Sequence, residues 1–61
     1  MSASTKLGNA LQAIDDAERV LKRIKNGTTD SELQYEIRKS LRELDEARQY
    51  IESARREVRD L

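Results

Sequence analysis

Apolar side chains recur along this chain at alternating three- and four-residue intervals in two blocks. The first block runs Leu7, Ala10, Ile14, Ala17, Leu21 and Ile24, and the second runs Leu33, Ile37, Ser40, Leu44, Ala47, Ile51, Ala54, Val58 and Leu61, with Ser40 the one polar member. That spacing predicts two amphipathic helices, and its strict seven-residue repeat keeps the apolar stripe turned toward a partner helix along a left-handed supercoil. Large residues (Leu7, Ile14, Leu21, Ile37, Leu44, Ile51, Val58) hold one heptad position, while Ala10, Ala17, Ser40, Ala47 and Ala54 hold the other. Small residues once per heptad predict closely approaching backbones, with Ala10, Ala17, Ala47 and Ala54 setting the distance.

Between the blocks lies the strongest punctuation in the sequence, Asn26-Gly27-Thr28-Thr29-Asp30. Before it, Lys22, Arg23 and Lys25 suit the negative end of a helix dipole, and Gly27 suits a left-handed cap. After it, Thr29 and Glu32 have the spacing of a capping box, with Asp30 adding negative charge to the new first turn. The expected organisation is a single domain over 1–61: a helix at about 5–26, a turn at 27–29 and a helix at about 30–60. Helix one could start at Ser4 or Thr5, or a turn later with Asn9 capping and Gln12 three residues on, with Met1 to Ser4 frayed. The second helix, at roughly 46 Å against roughly 33 Å, overhangs the first by about 13 Å.

These features place the chain in the all-α class as an antiparallel two-helix hairpin with an Ala-rich heptad seam. The register across the hairpin is open: Leu21 opposite Ile37 and Ala10 opposite Ala47 suits the short turn, whereas a half-heptad slip sets large against small. Leu11, Ala13 and Val20 widen the first apolar arc beyond what one antiparallel neighbour covers, and Leu41 and Tyr50 border the second. A lone hairpin therefore leaves apolar surface exposed, which a second copy would cover by forming a four-helix bundle, as would a larger protein partner.

Composition narrows the chemistry. The chain carries 12 Lys plus Arg against 12 Asp plus Glu, and neither His, Cys, Trp, Phe nor Pro. The usual transition-metal ligands, the imidazole acid/base and the thiol nucleophile are missing, so no catalytic, cofactor-binding or metal-binding residue and no small-molecule substrate is expected. Disulfides and metals, common supports for small chains, are equally unavailable, which makes association the expected route to stability. The longest apolar run is two residues, as in Val20-Leu21, so no membrane partner is expected and a cytoplasmic setting is the default. Asn26-Gly27-Thr28 matches a glycosylation acceptor only incidentally.

Several residues invite a functional reading. Asp15, Asp16 and Glu18, and Asp45-Glu46, form acidic knots expected on solvated outer arcs. Ser40 has no base at its neighbouring seam positions and reads as a small residue whose hydroxyl bonds back to the preceding turn. Arg42, Arg48, Arg55, Arg56 and Arg59 are candidate contacts for nucleic acid or an acidic partner, since the guanidinium fork suits phosphate and carboxylate. Interleaved acids compete for them, so salt-bridge and register roles are the stronger expectation. Tyr35 should project outward as surface packing.

The turn glycine and the long second helix closing on Ala54-Arg55-Arg56-Glu57-Val58-Arg59-Asp60-Leu61 resemble the small subunit of exodeoxyribonuclease VII. Ala13-Ile14, Ala17, Val20-Leu21, Ile24 and Gly27 can be read in the places of that family's first-helix aliphatics and turn glycine, and Ala54, Val58 and Leu61 in those of its closing residues. The family's turn usually continues with acidic, Leu, Pro, Leu and acidic residues, where this chain has Thr28-Thr29-Asp30-Ser31-Glu32. The resemblance implies a non-catalytic accessory subunit that binds a large nuclease subunit. The residues by themselves point to a small, non-enzymatic interaction or regulatory protein.

Overall fold

A computed structural model describes residues 2–60, which form two helices, α1 (Ala3–Gly27) and α2 (Ser31–Asp60), packed as a hairpin 48 Å long. Leu61, assigned by its spacing to the seam, lies outside the described residues, as does Met1.

Helix α1 begins earlier than its sequence signals suggested. Ser2, in an extended conformation, is its cap: the Thr5 amide donates to Ser2 Oγ at 3.2 Å, and the Lys6 amide closes the first turn on the Ser2 carbonyl. Neither Ser4, Thr5 nor Asn9 caps the helix, and the expected frayed end is helical from Ala3, because a serine placed to satisfy an orphan amide nucleates the turn ahead of Gly8. With 25 residues in α1 and 30 in α2, the length difference shrinks from about 13 Å to about 7.5 Å.

The turn also differs in its chemistry. Gly27 ends α1 with negative φ, and Thr28 follows in an extended conformation, so the left-handed glycine cap is absent. Asp30, rather than Thr29, caps α2. Its Oδ1 accepts from the Glu32 and Leu33 amides at 3.0 and 3.1 Å, so one carboxylate satisfies two orphan donors at the positive end of the dipole. Thr28 Oγ1 accepts from the Asp30 amide at 3.2 Å, and Gln34 Nε2 reaches back to donate to the Thr28 carbonyl at 2.8 Å and the Lys25 carbonyl at 3.5 Å.

Ile37 is the one buried side chain among the described residues, at 4% exposure. Around it the half-buried rows are Leu7, Leu11, Ile14, Glu18, Leu21 and Lys25 on α1, and Gln34, Leu41, Leu44, Arg48, Ile51, Arg55 and Val58 on α2. This is not the expected seam. Both threads share Leu7, Ile14, Leu21, Ile37, Leu44, Ile51 and Val58 but differ at the second heptad position, where the hairpin turns Leu11, Glu18, Leu41, Arg48 and Arg55 inward in place of the small residues. Ala17 and Ser40 are exposed, and Ile24 and Leu33 are 45% and 40% exposed. Ala10, Ala47 and Ala54 stay half-covered at the border. The physical reason is area: long side chains, including the aliphatic stems of Arg and Glu, cover far more of a neighbouring helix than alanine can.

Candidate functional site

Choosing the longer thread gives the hairpin two unlike faces. On one, Arg48 reaches from α2 across to α1. Its Nη2 donates both to Asp15 and to Glu18 Oε1, the latter at 2.6 Å, and Nη1 lies 3.9 Å from Asp45. The Glu18 side chain is only 12% exposed and that of Arg48 28%, so the acidic knot at 15–18 is not uniformly solvated as expected. Asp16 does face solvent, 3.4 Å from Arg19. Arg48 is thereby engaged within the hairpin, in the salt-bridge role.

Arg55 is engaged differently. Its guanidinium lies over Gly8, with Nη2 3.5 Å from where a Cβ on that glycine would stand, and its buried Nε has no hydrogen-bond partner. The glycine lets the flat cation rest against backbone. Of the remaining arginines, Arg56 and Arg59 line a shallow hollow with Leu11 and Glu52, and Arg42 joins Tyr35, Arg38 and Lys39 along two turns of the outer face of α2. This Tyr35–Arg38–Lys39–Arg42 stripe escaped the sequence reading, which weighed the arginines by flank; its signal is the cations at three- and four-residue spacing from an aromatic. None of its cations pairs with a carboxylate among the described residues. Tyr35 projects outward at 62% exposure as expected, whereas Tyr50, expected beside the seam, is 76% exposed.

The opposite face carries no such latch. Stepping off the inward row of α1 away from Asp15 leads to Ala10, Ala13, Ala17, Val20 and Ile24. On α2, away from Asp45, the inner row holds Leu33, Ser40, Ala47 and Ala54, and the outer row, in the place of Ala13 and Val20, holds Glu36, Glu43, Tyr50 and Glu57. In an antiparallel pair, equal rotational steps emerge on the same side, so the inner rows with Ala13 and Val20 form one continuous apolar strip, rimmed on α2 by the three glutamates and Tyr50. Val20 is 48% exposed, and with Ile24 and Leu33 it gathers bulk near the turn, while the open end is alanine.

No family model, curated protein or solved structure matches the chain. The geometry must therefore carry the functional reading. Among the described residues no group of three carboxylates is arranged to hold a metal ion, and no helix is long and apolar enough to cross a membrane. The hollows on the surface are open and lined mainly by charged side chains, one of them by Asp15, Glu18, Arg19, Lys22 and Arg48 alone.

Proposed function

We propose that this chain is a small non-enzymatic interaction module whose working surface is the open apolar face of the hairpin. The observation that carries the reading is the exposure of Val20, Ile24 and Leu33 together on a face whose spacing repeats as regularly as that of the buried one. Clustered aliphatics on a chain that is 39% charged mark a surface kept for a protein partner. An accessory role in a nuclease complex, implied by the resemblance noted above, would use this same face.

A paired substitution tests it. Val20→Lys with Ile24→Lys alters side chains that the hairpin leaves about half exposed, so helicity should persist while association is lost. Quantitative capture with the tagged wild-type and substituted chains should show the bound set, further copies of the chain included, depleted in the variant. An unchanged bound set would remove the open face as the working surface.

The cationic stripe favours a second reading, contact with nucleic acid through Tyr35, Arg38, Lys39 and Arg42. Three cations on two turns can follow a phosphate backbone, and the ring can stack on a base. Binding of a single-stranded oligonucleotide should weaken steeply with salt, and Arg38→Ala with Arg42→Ala should flatten the salt dependence by about 1.4 in log–log slope. Salt-independent binding, or a slope the double variant leaves alone, would count against this reading.

A further inference from the structure

We infer that the partner covering the open apolar face is a second copy of this chain, seated with its turn over the open end of the first, on a two-fold axis that passes Ala17. The inference rests on the proposal that this face is the working surface, and it names the occupant.

Two observations carry it. The first is area. The hairpin exposes 4827 Å² of surface, whereas a folded chain of its mass is expected to expose about 4,100 Å². The surplus, roughly 700 Å², is close to the ~800 Å² that each partner contributes to a standard protein interface.

The second is shape. Along α1 the face runs Ala10, Ala13, Ala17, Val20, Ile24, small at the open end and large at the turn. Along α2 it runs Leu33, Ser40, Ala47, Ala54, large at the turn and small at the open end. Turning a second copy end for end lays α1 against α1 and α2 against α2, each antiparallel. Ile24 then meets Ala10, Val20 meets Ala13, and Ala17 meets its own counterpart; on α2, Leu33 meets Ala54 and Ser40 meets Ala47. Bulk meets space at both ends, and the small centre allows the backbones to approach at the short end of the usual 8–10 Å range. Two copies stacked with turns together would instead crowd Val20, Ile24 and Leu33 at one end and leave alanine against alanine at the other.

The chain has no cysteine, so single thiols report this geometry directly. Ala17→Cys, at a site exposed in the hairpin, should form a chain-to-chain disulfide under mild oxidation on the order of a hundredfold faster than Tyr35→Cys on the outer face, since pairing raises the effective thiol concentration. Ala13→Cys mixed with Val20→Cys should give the mixed disulfide in preference to either homodimer. Sedimentation of the wild-type chain should give twice the chain mass, and circular dichroism should show each variant as helical as wild type. A dimer in which Ala17→Cys crosslinks no faster than Tyr35→Cys would overturn the end-for-end arrangement. A monomer at every concentration would overturn the second copy as occupant; if capture by other proteins still depended on Val20 and Ile24, the open face would stand as the working surface with a different partner.

Discussion

Ile37→Ala is expected to lower the unfolding free energy by about 3 kcal/mol, the largest effect of any single truncation in this chain. Among the described residues its side chain is the one the hairpin buries, at 4% exposure, and two helices have few other atoms with which to refill the space. For a chain of 61 residues, whose stability is a small difference between large terms, such a loss should leave most molecules unfolded near 37 °C. Urea titration followed by circular dichroism at fixed chain concentration measures it. Ser40→Ala, one turn further along α2 on the exposed face, is the control and should change the midpoint little or raise it. An Ile37→Ala shift no larger than that of Ser40→Ala would mean that the packing around Ile37 does not hold the hairpin together.

The second large effect belongs to Arg48. Arg48→Ala should cost about 2 kcal/mol, because it strands the largely covered Glu18 carboxylate and removes a stem that packs between the helices. Arg48→Leu with Glu18→Leu should recover most of that loss, since replacing both members of a covered ion pair by apolar residues is often neutral or stabilising. The asymmetry is the test: a double variant as unstable as Arg48→Ala would show that the pair contributes net attraction beyond its own desolvation. Asp15 is about half exposed, and its contact with Arg48 should therefore weaken with added salt while that of Glu18 holds.

The two helices, their antiparallel arrangement and the position of the turn were legible in the spacing of Leu7, Ile14, Leu21, Ile37, Leu44, Ile51 and Val58, because these belong to either choice of seam. The second heptad position was misread. Binary patterning treats Ala17 as apolar and Arg48 or Glu18 as polar, and so assigns the alanines to the core. What decides between the threads is how much surface a side chain spans, and by that measure Leu11, Leu41 and the stems of Arg48 and Arg55 outweigh Ala10, Ala17 and Ala47. A single hairpin can use only one thread, so the other stays outside; the regularity that marked the alanine row as core is what makes it a candidate interface. The caps failed for a local reason. Gly27 and Thr29 fit the motifs, but Asp30, one residue after Thr29, and Ser2, two before Ser4, had side-chain oxygens better placed for the free amides.

The turn bears on how this chain could choose between shapes. With no proline in the sequence and no residue in the left-handed region among the described residues, the backbone between Gly27 and Ser31 contains nothing that a continuous helix could not adopt. The bend is held by exchangeable partners: the Asp30 carboxylate on two amides, Thr28 Oγ1 on a third, and the Gln34 amide on the carbonyls at the end of α1. Straightened, the same sequence would be one long rod with both threads of side chains still in line. The folded length of the protein, half a rod or a whole one, is thus set by the side-chain hydrogen bonds of Thr28, Asp30 and Gln34 together with the apolar contact between the helices, and not by any rigid corner in the backbone.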